Sequence, residues 1–315
     1  MNGPEFFGAV FLFAHFILAP SPPSSDYRPN RFSHNTDCIM TLPNDTAQNP
    51  ANATSPFLAI HNLVKKFGEN TVLDDVSLSL DRGQTMAIIG PSAAGKSVLL
   101  KCMAGVYGAN QGSVLIEGKN ITENDASNDA SWTDRVGMLF QQNALFDSLP
   151  IWQNVCFQLI ENGSLSRKQA KERAVELLGL VGLDADSATL RPADLSGGMQ
   201  KRVGIARAIA NNPEILLLDN PTAGLDPVLS NHIENMIETI AKKHKTTVIT
   251  VTNDMEIARN RYDFLTMMHE GRVYWSGKRE NISDAHNEHL TQMLKGSSQG
   301  PISMRTRNRG QHLVA

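Results

Sequence analysis

Gly90-Pro91-Ser92-Ala93-Ala94-Gly95-Lys96-Ser97, followed by Val98, fits the pattern G-x-x-x-x-G-K-[ST]. In such a loop the backbone N–H groups cradle phosphates, the Lys reaches the outer ones and the Ser hydroxyl binds Mg²⁺. Thr85-Met-Ala-Ile-Ile89 just upstream is a short apolar run, as expected of a buried parallel strand. Lys96 to Ala104 continues as a helix. Strand, loop and helix in this order predict an α/β fold with a phosphate site at its centre. Ala93 and Ala94 stand where many such loops carry Gly and a small polar residue, so the backbone at Ala93 is expected to differ slightly. Binding is expected to survive that change.

Downstream, Leu195-Ser196-Gly197-Gly198-Met199 precedes a run, Gln200 to Ala210, that reads as helix. A hydroxyl and two bare glycine amides at a helix start make a second anion site. One chain thus carries two half-sites for a triphosphate, which implies two chains clamping nucleotide between them. Glu214-Ile-Leu-Leu-Leu-Asp219 is a second apolar strand ending in a carboxylate placed to hold Mg²⁺. A helix-capping role for Asp219 is the weaker reading, because Pro221 follows so soon. Thr246 to Thr252 is rich in β-branched residues and reads as another central strand. Phe264–Met268 and Arg272–Trp275 read as a late hairpin, and Leu58–Leu63 and Val76–Leu80 as early strands joined through Lys65 to Asp75. Ser166 to Leu183 is amphipathic, with Ala170, Ala174, Leu177 and Leu178 on one face, and predicts a helical insert.

The bulk composition agrees and adds little. The 315 residues are 41% apolar and 19% charged, enough for about two domains or one large one with an insert. A formal charge of −3 gives no sign of a nucleic-acid surface. Cys38, Cys102 and Cys156 are widely spaced and odd in number, so neither a disulfide framework nor a zinc cluster is indicated.

Residues 1–56 read as a disordered extension, rich in Pro, Ser, Asn and Thr from Pro20 onward. Phe6 to Ala19 is apolar apart from His15, yet shorter than the ~18 residues a membrane span needs. The only charge before it is Glu5, whereas a secretory signal wants a basic start. Two readings stand side by side: translation beginning at Met40, with residues 1–39 not made, or a weak peripheral membrane contact. Residues 303–315 read as a flexible tail.

From Phe57 to Ile302 the chain resembles the ATP-binding subunit of an ATP-binding-cassette (ABC) transporter. The motifs run in order: Walker A at Gly90–Ser97, a Q-loop at Phe140-Gln141, the signature at Leu195–Met199, the Walker B strand ending at Asp219 and the D-loop Gly224-Leu-Asp-Pro227. The resemblance implies a P-loop NTPase fold with an antiparallel β subdomain and a helical signature subdomain. It implies ATP and Mg²⁺ as cofactors, with Ser97, Gln141 and Asp219 at the metal. Phe67 stands where the family has an aromatic that stacks on adenine; taken alone, it reads as core. Met138 to Asp147, the Met199 variant of the signature, and Gly296 with Gly300-Pro-Ile302 resemble the Mla-type phospholipid-trafficking ATPase. That implies a homodimer at the cytoplasmic face of the inner membrane, beneath a permease dimer and linked to a periplasmic MCE-type lipid-binding protein, moving phospholipid between the inner and outer membranes. The segment Asn143 to Trp152 is where the resemblance puts permease docking; burial in the helical insert is an equal alternative for Phe146 and Trp152.

Two departures stand against the matches. After the Walker B Asp the family has Glu, which polarises the attacking water; here it is Asn220. The switch His is replaced by Asn253 in Thr252-Asn-Asp-Met255. An amide orients a water by hydrogen bonds but has no useful basicity. Three readings follow: slow hydrolysis with Asn220 and Gln141 positioning water, the degenerate half of a heterodimer whose intact signature serves a partner, or a nucleotide-gated regulator. Slow or partner-dependent hydrolysis is favoured, because every group that binds Mg·ATP remains.

Overall fold

The structure, a computed structural model, describes residues 55–122 and 130–302. The expectations for Phe6–Ala19, Cys38, Met40 and the 303–315 tail lie outside the described residues. The chain enters as β1 (Leu58–Phe67), β2 (Asn70–Leu80) and β3 (Thr85–Ile89), then the phosphate loop and α1 (Lys96–Met103). Strands β4 (Gln111–Ile116), β5 (Lys119–Asn120) and β6 (Val136–Leu139) come next. The helical part holds α2 (Ile151–Val155), α3 (Phe157–Glu161), α4 (Arg167–Leu180) and α5 (Gly197–Ile209). Then follow β7 (Ile215–Asp219), α6 (Pro227–His244), β8 (Thr247–Val251), α7 (Met255–Arg261), β9 (Phe264–His269), β10 (Arg272–Lys278) and α8 (Glu288–Lys295).

Among the described residues the strands form two sheets. One is antiparallel, in the order β2-β1-β4-β5. The other runs β10-β9-β3-β8-β7-β6, parallel throughout except for the β9–β10 hairpin. Strand β3 therefore lies between β8 and β9, with β7 next to β8, and the three apolar runs of the sequence become adjacent. Their residues alternate between two cores. Met86, Ile88, Leu217 and Ile249 face the antiparallel sheet; Ala87, Ile89, Leu216 and Val248 face the helices. Burial on both faces is why these strands read as unbroken apolar runs rather than as alternation. Leu217 is fully buried, and Leu217→Ala is expected to cost about 2–5 kcal/mol, read from the urea midpoint. A cost below ~1 kcal/mol would contradict this packing.

The early hairpin is longer than expected. Strand β1 pairs with β2 out to Phe67 and Asn70, where the sequence suggested a long connection. Register shifts between Ile60 and Lys66 break the alternation there, which hid the strand. In the helical part, α4 begins with a capping box: Ser166 Oγ accepts from Gln169 N, and Gln169 Oε1 from Ser166 N. Ala170, Ala174, Leu177 and Leu178 are all buried, as their spacing predicts. A ring of charges ties the sheets together. Arg82 and Arg135 each pair with both Glu117, after β4, and Glu214, before β7; Arg135 lies 2.6 Å from either carboxylate. Hydrogen bonds from Arg135 and Arg82 hold the Glu214 carboxyl below its usual range.

Candidate active site

Parallel α/β sheets place ligands beyond the carboxyl ends of their strands. Here β3 ends in the phosphate loop, β7 in Asp219 and β8 in Thr252-Asn253. The loop is shaped by close contacts: a Cβ on Gly90 would lie 2.1 Å from Met268 O, and one on Gly95 2.8 Å from Val72 O. Ala93 takes φ 62°, the left-handed region where the sequence anticipated a need for Gly. Helix α1 has no side-chain cap, so its first amides, from Lys96, Ser97 and Val98, are free to meet an anion.

Lys96 is buried, and its Nζ donates to Gly90 O (2.7 Å) and Pro91 O (2.8 Å). Burial pulls its pKa down to about 8 against the opposing pull of Asp219. A lysine must be charged to hold phosphate, so Mg·ATP affinity is expected to fall as pH rises through about 8. At a pH of about 9, binding should take up a proton that it does not take up at about 6.5. Titration calorimetry in buffers of different ionisation enthalpy measures this; equal uptake at both values would contradict the burial effect.

Asp219 is fully buried at the end of β7. Its Oδ1 accepts from Asn220 Nδ2 (3.1 Å), while Oδ2 has no hydrogen-bond partner among the described residues. An unpartnered carboxylate oxygen beside the Ser97 loop is the donor that a hydrated divalent cation takes, so the residues fit Mg²⁺. Asn220 has φ 53°, a left-handed conformation that Asn tolerates better than Glu. Its N–H donates to Val251 O (2.9 Å), and its carbonyl accepts from Lys201 Nζ (2.9 Å). Lys201 comes from α5, is buried, and is lowered by burial against the pull of Asp219. Two lysines from different elements thus face one carboxylate.

After β8, Thr252 N donates to Ile88 O, and Asp254 caps α7 by accepting from Glu256 N and Ile257 N. That turn carries Asn253. Asn220 and Asn253 line one cavity of about 810 Å³, together with Asn231 and Asn260, and no residue of the phosphate loop lines it. Gln141 is exposed just past β6. Phe67 is 37% exposed at the end of β1, so it is not core. Its ring stands 5.2 Å from Tyr107 in an edge-on arrangement, with Lys65 Nζ 5.1 Å from its centre. Ser196 caps α5 by accepting from Met199 N, and Gly197 and Gly198 form its first turn. The helix thus starts earlier than Gln200, and the two glycine amides are part of it.

Comparison with known proteins agrees with this layout. The sequence profile described as ABC transporter matches residues 73–223. The "Probable ribonucleotide transport ATP-binding protein mkl" of Mycobacterium leprae is 35% identical over 247 residues, covering 78% of this chain and 71% of that protein. "Protein TRIGALACTOSYLDIACYLGLYCEROL 3, chloroplastic" of Arabidopsis thaliana is 34% identical over 267 residues, 80% and 77% of the two chains. The chain belongs to the ABC transporter family.

Among solved structures, the ABC cassette MJ0796, a dimer in a post-hydrolysis state with ADP and Pi, superimposes with a TM-score of 0.67. It is 32% identical and covers 70% of this chain and 98% of its own. ABC ATPases bind ATP, dimerise and work with membrane permease subunits. No helix among the described residues is long and apolar enough to cross a membrane. Phe146 and Trp152 are both half-buried, Phe146 packing at 4.6 Å on Phe157 and Trp152 against the helical core. Reading motifs alone missed Lys201 and Arg207 on α5. The signal was present: Lys201 shares a helix stripe with Gly204, Ile205 and Ala208, all buried, and a charge on an apolar stripe needs a partner.

Proposed function

We propose that this ABC ATPase powers phospholipid trafficking across a cell envelope, docked on a permease dimer at the cytoplasmic face of the inner membrane with a periplasmic MCE-type lipid-binding protein in the same complex. The observation that carries the lipid reading is the similarity, over four-fifths of the chain, to a relative named for a galactosyl-diacylglycerol lipid. The Mla-like stretches Met138 to Asp147 and Gly296 to Ile302 support it. The second of these is strapped to α8: Gln292 Nε2 donates to Ser297 O and Ile302 O, and its Oε1 accepts from Ile302 N.

In this reading the amides of Gly95 to Val98 and the Lys96 ammonium hold the phosphates. Phe67 offers its exposed face to adenine. Ser97, Gln141 and Asp219 would hold the Mg²⁺ ion, which would supply positive charge against the phosphates. Ser196, Gly197 and Gly198 close on the nucleotide of the partner subunit. Asn220 and Asn253, just past the ends of β7 and β8, position the attacking water by hydrogen bonds without accepting its proton. Hydrolysis is therefore slow in a homodimer. The intact signature beside two amide substitutions supports a second reading, the degenerate half of a heterodimer.

Affinity purification of the tagged full chain from native membranes in detergent tests both. A polytopic permease, an MCE-type protein and enriched phospholipid are expected. Copurifying ribosomal proteins, or a permease complex carrying nucleotide or amino acid in place of lipid, would sink the lipid reading. A second ATPase chain in equal amount would select the heterodimer.

A further inference from the structure

The turn after Gln141 carries two consecutive left-handed residues. Asn143 at φ 59° takes a conformation that Asn tolerates, whereas Ala144 at φ 47° is strained. Arg207 on α5 reaches across to this turn with both arms of its guanidinium, Nη2 donating to Asn143 O (2.6 Å) and Nη1 to Ala144 O (2.7 Å). Among the described residues no salt bridge joins Arg207 to a carboxylate, so the two carbonyls are its partners. Burial lowers its pKa to about 10. On the far side, fully buried Asn154 grips the same segment: its Oδ1 accepts from Phe146 N (2.7 Å) and its Nδ2 donates to Phe146 O and Leu149 O. Helix α5 lies directly on this region, since a Cβ on Gly204 would meet Leu139 Cδ1 at 2.8 Å and Asn143 Cβ at 3.6 Å.

The same helix begins at Ser196–Gly198, at the signature. One rigid rod thus has the signature at its start and a charged clamp on the strained Q-loop turn near its end. We propose that Arg207 is a positioning residue that fastens the turn after Gln141 to the signature helix, so that displacement of the helix by nucleotide moves the Phe146–Leu149 segment toward or away from the membrane subunit. This rests on the reading that the chain drives a permease. The strain at Ala144 supplies the direction: without the guanidinium, that residue relaxes to ordinary backbone and the turn opens.

Hydrogen exchange of the full chain, with and without Mg·ATP, tests this. Arg207→Lys keeps the charge and loses the two-armed geometry. It is expected to speed exchange of the amides between Gln142 and Leu149 at least about tenfold, with β3 and β7 unchanged. Mg·ATP should slow those amides in the wild type and leave them unaffected in the variant, at nucleotide affinities within about threefold. Adding Ala144→Gly, which removes strain at one residue, should restore part of the protection. Unchanged exchange in Arg207→Lys, equal slowing by Mg·ATP, or no restoration by Ala144→Gly overturns the proposal. If Arg207→Lys does not fold, Ala144→Gly alone decides: slower opening of the turn supports the stored strain, and an unchanged rate refutes it. A wild type that fails to bind Mg·ATP would instead refute the transporter reading, while the nucleotide-free comparison still tests the clamp.

Discussion

Asn220→Glu is expected to raise single-turnover hydrolysis of ATP by about 10²–10⁴-fold over the wild type, the span one positioned general base supplies. The geometry favours a gain. Asn220 follows the buried Asp219 and is fixed through its own backbone by Val251 and Lys201. A carboxylate at this position would find its anchor already built. It also carries a cost. The backbone at φ 53° suits Asn, and a Glu there gives up about 1 kcal/mol. The amide donated to Asp219 Oδ1 is exchanged for a second negative charge beside it. The faster variant should therefore melt a few degrees lower than the wild type. Lys96→Ala is the baseline. If wild type already equals that baseline and the Glu variant is active, the wild-type chain is not a slow engine, and the heterodimer reading gains. If the Glu variant stays at baseline too, position 220 does not present a water to the phosphate.

The central strands were legible because burial on both faces writes them as apolar runs: Thr85–Ile89 matches to the residue, and Ile215–Asp219 and Thr247–Val251 to within one or two. The phosphate loop and the signature were legible because their chemistry needs particular residues at fixed spacing. What escaped had long-range causes. The β1–β2 hairpin was hidden by irregular register. Phe67 reads as core by type, yet Tyr107 and Lys65, brought from elsewhere in the fold or along its own strand, hold it at the surface. Asn220 reads as a lost base, and only the backbone reveals that a left-handed turn also favours the residue. Lys201 is marked as a charge on an apolar stripe, but its partner and those of Arg207 are backbone carbonyls, which no sequence pattern marks.

Asp219→Asn is expected to weaken Mg-dependent ATP binding by about 10–100-fold, through two effects that can be separated. Removing one member of a buried charge set leaves the others without its opposing charge. Here those others are Lys96 and Lys201, both buried and both pulled up in pKa by Asp219 against the larger effect of burial. Without the carboxylate the loop lysine falls below its value of about 8 and is largely neutral near that pH. Affinity should then decline with rising pH from a lower midpoint than in the wild type, and acidification should recover part of it. The second effect is on the metal. The unpartnered Oδ2 is the oxygen a hydrated cation would use, and an amide offers only a neutral oxygen in its place. Titration with a fluorescent ATP analogue, with Mg²⁺ and with a chelator, distinguishes them. In the wild type Mg²⁺ should tighten binding, and in Asp219→Asn the two conditions should converge. Tightening by Mg²⁺ that persists in the variant would remove Asp219 from the metal, while an unmoved pH midpoint would remove it from the control of Lys96.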